Sequence, residues 1–95
     1  WLGVVITPNN PYFVRRFGVP DVEGVVVRGL YRNGPAAQAG VGVGDVITKV
    51  GGRSVKTEEE FKDVERSLRI GATVEMEWHT PDGVVRRRVT VGEAP

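Results

Sequence analysis

Valine sets the first constraint on this chain. Nineteen of its 95 residues are Val, against three Ile and three Leu. β-Branched side chains fit a pleated, half-buried surface, so an apolar complement dominated by Val points to strands. Thirteen Gly and six Pro supply the turns that short strands require. The length suits one domain, and a chain of this size buries roughly 60–70% of its unfolded surface, enough for a core without cross-links. We expect residues 1–95 to form a single domain cut from a longer protein, with Gly92 to Pro95 as a loose tail. The residues that follow Trp1 do not read as a signal peptide.

Composition removes several kinds of chemistry. There is no Cys, hence no disulfide framework, thiol catalysis or thiolate metal site. The single histidine, His79, excludes sites that need two imidazoles. Thirteen Lys and Arg against twelve Asp and Glu leave a formal charge of +1, with no global field to draw nucleic acid or an anionic membrane. No apolar run approaches the ~20 residues of a membrane span.

Along the chain, Leu2 to Thr7 reads as a short strand entered through Gly3. A helical turn or two follows over Tyr12 to Phe17, with Phe13 and Phe17 on one face and Gly18 as C-cap. Gly24 to Tyr31 is a strand apolar on both faces at its start, which suggests a covered, central position. Pro35 to Ala39 is a short helix with Pro at its first position. Asp45 to Val50 is a strand, and Gly51-Gly52 turns it into Arg53-Ser54-Val55. Thr57 with Glu60 three residues on is a capping box, opening a helix over 57–69 whose apolar stripe is Phe61, Val64 and Leu68. Thr73 to His79 and Val84 to Val91 alternate as a hairpin across Pro81-Asp82-Gly83. This order of elements defines an α+β domain of five to six short strands, one long helix and one or two short ones.

Most chemical signals have plainer explanations. Gly40, Gly42 and Gly44 precede a strand, the reverse of a dinucleotide-binding loop. His79 falls at a hairpin end facing solvent, and neither Ser54 nor Ser67 sits in a nucleophile elbow, so no catalytic triad is available. Arg86, Arg87 and Arg88 alternate faces, and Glu75 and Glu77 can pair with them across the hairpin. The run Glu58-Glu59-Glu60 compensates a helix dipole. The reading is of a non-enzymatic chain without cofactor or metal, with no nucleic-acid or membrane partner.

Trp1-Leu2-Gly3-Val4 is the informative segment. A glycine there lets successive N–H groups turn toward one point and form an anion nest. The strand that follows would keep one free edge, with the capped helix beside it. Such a groove takes a peptide as an added strand with its terminal carboxylate in the nest.

These elements in this order resemble a PDZ domain. Trp1-Leu2-Gly3-Val4 is similar to the family's carboxylate-binding loop, usually Gly-Leu-Gly-Phe, with Trp1 as a departure that narrows the entrance. The stretch from Gly34 through Pro35-Ala36-Ala37-Gln38-Ala39-Gly40 to Gly44-Asp45-Val46-Ile47 is similar to a long family motif, Gly34 standing where Ser is usual. The segment Pro11 to Gly18 and the final strand Val84 to Val91, which replaces the first strand of animal signalling relatives, resemble the circularly permuted bacterial subtype of HtrA/Deg-type serine proteases. Site-2 metalloproteases and tail-specific proteases carry such modules too.

The resemblance implies a small, partly open β-barrel or sandwich. It implies capture of C-terminal peptides of unfolded or partner proteins for a protease domain of the same parent chain, in the periplasm or an extracytoplasmic space. The carboxylate would meet the N–H groups of Leu2, Gly3 and Val4. The groove would comprise Trp1, Val5, Ile6 and Thr7 from the loop and strand, with Glu60, Val64 and Leu68 from the helix. Alternation turns Leu2, Val4 and Ile6 toward the pocket and Val5 away, while Phe61 joins the core. Glu60 would favour a basic or hydroxyl residue two positions upstream of the ligand's end. The competing readings are a structural module whose groove is filled by its own chain or a sister subunit, and an enzyme in its own right.

Overall fold

The valine-rich segments become the strands of one antiparallel sheet. A computed structural model describes residues 1–95. In chain order the elements are β1 (Val4–Pro8), α1 (Pro11–Phe17), β2 (Val25–Leu30), α2 (Pro35–Ala39), β3 (Val46–Val50), β4 (Arg53–Ser54), α3 (Glu58–Ser67), β5 (Thr73–Thr80) and β6 (Gly83–Thr90). The sheet runs β1-β2-β3-β5-β6, and β4 pairs with β3. Both β1 and β6 are therefore edge strands, and the sheet is open between them.

Burial on both faces explains the unbroken apolar start of β2. Val25 and Val27 belong to the main core with Leu2, Ile47, Met76 and Trp78. Val26 belongs to a second cluster with Val19 and Val46, against which Phe13 and Val14 of α1 pack. Helix α1 thus covers one face of the sheet, and residues of α2 and α3 contribute to the core on the other.

The helix ends follow the capping logic. Asn10 accepts from the Phe13 N–H at the start of α1, and Gly18 closes it in the left-handed region. Thr57 and Glu60 form the full capping box of α3. Helix α3 stops at Ser67, short of the expected 69. The Ser67 hydroxyl donates to the Val64 carbonyl at 2.6 Å, a local competitor to the helical ladder, and Leu68 is extended with ψ 140.

The β5–β6 hairpin has the expected register, with Glu75 opposite Arg88 and Glu77 opposite Arg86. Glu77 accepts from the Thr48 hydroxyl at 2.6 Å and from Arg86 at 2.9 Å. The Thr48 bond, ahead of Arg86 and against burial, holds its carboxyl below the ordinary value. Asp45 is buried and accepts from the Gly42 N–H at 2.8 Å. Burial pushes its carboxyl up, and the Gly42 bond opposes this. His79 is half-buried opposite Val46 and Val84, not facing solvent as expected.

The expected tail also needs correction at its start. Val91 donates to the Ala72 carbonyl at 2.8 Å and Gly92 to the Trp1 carbonyl at 3.0 Å. Gly92 is thus tied to the loop that opens the chain, while Glu93, Ala94 and Pro95 are exposed.

Candidate functional site

The loop before β1 is anchored through its carbonyls. Trp1 C=O accepts from Gly92 N–H at 3.0 Å, Leu2 C=O from Ala36 N–H at 3.0 Å, and Gly3 C=O from Tyr31 N–H at 2.9 Å. In a trans peptide the C=O of one residue and the N–H of the next point opposite ways, and no peptide here is cis. The N–H groups of Leu2, Gly3 and Val4 are therefore each turned away from the element that holds the preceding carbonyl. Gly3 has φ 77, the left-handed conformation that glycine takes without steric cost. Gly3 is buried, and its N–H donates no hydrogen bond within the chain. That N–H is thus a place for an acceptor to arrive.

Val4 lies opposite Leu30 in the ladder. Because Tyr31 donates to Gly3, antiparallel alternation turns the N–H and C=O of Val4 to the free edge. Val5 pairs with Gly29 and Ile6 with Val27, so the ladder carries a bulge whose extra residue, Arg28, lies on β2. Between this edge and α3 lies a cleft of about 190 Å³. Strand β1 supplies Val4, Val5 and Ile6, and α3 supplies Glu58, Phe61, Lys62 and Glu65.

Several expected groove residues sit elsewhere. Leu2 is fully buried in the core, and its side chain anchors the loop without lining a pocket. Val5 borders the cleft at the strand edge, but its side chain is 52% exposed and, as expected, is turned away from the face on which Val4 and Ile6 pack against the core. Thr7, opposite Val26, does not line the cleft. Val64 is core. Leu68 has left the helix and packs half-buried against that core. Glu60 is bent back to the helix start, where its Oε1 accepts from the N–H groups of Lys56 and Thr57. Phe61 belongs to the core, as expected, yet also lines the cleft. Trp1 is half-buried and meets Tyr31 edge-on, with ring centres 5.0 Å apart.

Sequence reasoning missed Glu58, Lys62 and Glu65. Their signal was the i, i+4, i+7 spacing with Phe61 at i+3, which puts all four on one helical face. Glu65 matters most. Its Oε2 accepts from the Leu2 N–H at 2.9 Å, so one of the three expected carboxylate donors is already engaged. A second, larger cleft of about 370 Å³ lies beneath α1, lined by Phe13, Phe17, Val19 and Val26 among others.

The sequence pattern of the PDZ domain matches residues 1–80. This chain belongs to the PDZ domain family. The PDZ domain is 33% identical over 95 residues to a relative in Pseudomonas savastanoi pv. phaseolicola named as a probable periplasmic serine endoprotease, DegP-like. That match covers all of this chain and 20% of the relative. It is 37% identical over 75 residues to the magnetosome formation protease MamE of Paramagnetospirillum magneticum, covering 79% of this chain and 10% of that one. The PDZ domain thus spans about a fifth or less of the length of these relatives. Among solved structures it superposes on the HtrA-type protease AlgW with decapeptide at TM-score 0.91 and 28% identity, over 100% of this chain and 29% of that one. The expected HtrA-type relationship holds, and relatives named as periplasmic support the expected location.

Proposed function

We propose that this PDZ domain captures the terminal carboxylate of peptides from unfolded or partner proteins by strand addition to β1. In a longer parent it would act as the substrate-recognition or regulatory module of an HtrA-type serine protease and hand such chain ends to the protease domain. The observation that carries this reading is the inward anchoring of the Trp1, Leu2 and Gly3 carbonyls, which leaves the next three N–H groups turned outward beside an edge strand. The matching HtrA-type structure with a decapeptide supports it.

The N–H groups of Gly3 and Val4, and of Leu2 once released, would receive the carboxylate. Each hydrogen bond to a charged acceptor contributes about 1.5–3 kcal/mol. The last peptide residues would pair antiparallel with Val4 to Thr7, and an apolar terminal side chain would enter against Val4, Ile6 and Phe61. Its burial contributes about 1.5–3 kcal/mol, and ordering the peptide offsets much of the sum. The outcome is micromolar affinity, roughly −8 kcal/mol, for ends such as Val, Leu or Ile. Glu58 takes over the role expected of Glu60 in favouring a basic residue upstream, since it lines the cleft.

The test is a titration with a peptide ending in Val and with the same peptide amidated. Saturable binding of the free acid alone supports the carboxylate mechanism, and equal responses to both remove it. The Glu65–Leu2 hydrogen bond favours a second reading, a structural module whose groove is filled by its own chain. That reading requires that neither peptide binds.

A further inference from the structure

Glu65 and Leu2 lie 63 positions apart in sequence, yet the Glu65 carboxylate sits 2.9 Å from the Leu2 nitrogen. Nothing else in the fold engages that carboxylate. Its second oxygen accepts no hydrogen bond, and no cation pairs with it. The two cations nearest it on α3 are committed elsewhere: Lys62 to Glu58 at 2.9 Å and Arg66 to Asp63 at 2.9 Å. A half-buried anion whose only partner is a main-chain amide of the loop is bound as a ligand's carboxylate would be.

We infer that Glu65 is the internal ligand of the carboxylate loop, seated on the Leu2 amide in the free domain and displaced when a peptide end enters. This deepens the peptide-binding reading and rests on it. A second carboxylate brought to the adjacent Gly3 and Val4 amides would lie within a few ångströms of the first, and like charges at that range repel strongly. Displacement needs only side-chain rotation, since Glu65 is half-buried at the open cleft and can turn to water. Glu65 therefore sets the affinity: every peptide competes with it, and only a ligand carrying its own terminal negative charge restores what the Leu2 amide loses.

Glu65→Ala removes the competitor and keeps a strong helix former at the position. Binding of a peptide ending in Val should tighten about tenfold, equivalent to about 1.4 kcal/mol, with Glu65→Gln between the two. In the peptide-free protein the Leu2 amide proton should shift upfield in both variants while the Gly18 and Gly71 amides stay in place. Unchanged or weakened binding by Glu65→Ala, with wild type binding normally, overturns the inference and makes Glu65 a support of the loop; the peptide-binding reading then survives. If only Glu65→Ala binds, internal occupancy is complete and the inference stands. If neither binds, the peptide-binding reading fails and the inference with it. An unmoved Leu2 amide proton also overturns the inference, whatever the peptide does.

Discussion

Gly3→Ala separates the loop's geometry from its contribution to folding. With φ 77, an L-residue at this position pays about 1–2 kcal/mol for the left-handed conformation. The new Cβ would lie 3.3 Å from Trp1 Cη2 and 3.4 Å from Gly34 Cα and Pro35 Cδ, so these neighbours must give slightly. The expected loss is about 1–2 kcal/mol, or roughly 4–16 °C in Tm for a domain this size. Relief of that strain rotates the peptide planes on either side of residue 3 and moves the Gly3 and Val4 N–H groups. Loss of one charge-assisted hydrogen bond, about 1.5–3 kcal/mol, weakens peptide binding roughly 10- to 100-fold. Gly18→Ala is the matched control. Its φ is 66, nothing lies within 4 Å of the added Cβ, and it sits at the end of α1, outside the groove. It should destabilise comparably and bind normally. Thermal denaturation followed by circular dichroism and calorimetric titration with a Val-terminated peptide measure the two effects. A Gly3→Ala protein that melts like Gly18→Ala yet binds like wild type would refute the assignment of these amides to the carboxylate.

Three further outcomes follow from the core and the hairpin. Leu2→Ala should cost about 2–5 kcal/mol in urea denaturation, because this fully buried side chain anchors the loop. Glu77→Gln should destabilise at pH 7. The native carboxyl titrates below its unfolded value of 4.5, chiefly through the Thr48 hydroxyl, so its contribution is present above that pH and is lost as pH falls through the lower native value. The gap between variant and wild type, measured by denaturation from pH 7 down to acid, should close below 4.5; a gap independent of pH would contradict this. Trp78→Phe should cost less than about 2 kcal/mol, well under the ~3–5 kcal/mol of a large aromatic cut to Ala. The buried indole Nε1 has no hydrogen-bond partner, and its removal relieves that deficit; chemical denaturation decides.

The fold was legible where local chemistry and the global pattern agree. Gly18, Thr57 and Glu60 mark helix ends through hydrogen bonds that span only a few residues, Pro35 marks one by lacking an N–H, and the structure uses all of them. The hairpin register was legible because Glu77 and Arg86 flank one short turn. The groove was less so, for two reasons. Leu2 shares the sequence alternation of Val4 and Ile6, but just before the left-handed Gly3 it turns fully into the core. Val64 and Leu68 of the apolar stripe read as groove wall in the sequence, but Val64 buries itself in the core. The neighbouring stripe of Glu58, Phe61, Lys62 and Glu65 faces the cleft. A helix beside a groove serves two masters, and the hydrophobic pattern reports only the larger one. The contact of Glu65 with Leu2 depends on how α3 docks, which no local signal encodes.

The free edge of β1 combines exposure with restraint. Edge strands invite pairing with other chains, and proteins commonly blunt them with charge, proline or bulges. Val4, Val5, Ile6 and Thr7 carry no charge, so their side chains offer no electrostatic protection. Protection lies at the two ends: Pro8 lacks an N–H where the strand finishes, and the Glu65 carboxylate covers the first amide where it begins. The bulge interrupts the ladder between them. The open stretch is thus four residues long, short for the edge of another sheet, whose strands commonly run to about five or six residues. A chain terminus needs only a few residues of pairing, because its carboxylate adds bonds at Gly3 and Val4 that an internal segment cannot make. On this argument the short edge and the acidic cap favour the same ligand class, and extending the edge by Pro8→Val together with Glu65→Ala should weaken that preference. The double variant should bind an internal peptide of matched sequence detectably, where wild type binds only the free-acid form; no gain for the internal peptide would show that edge length does not set the choice.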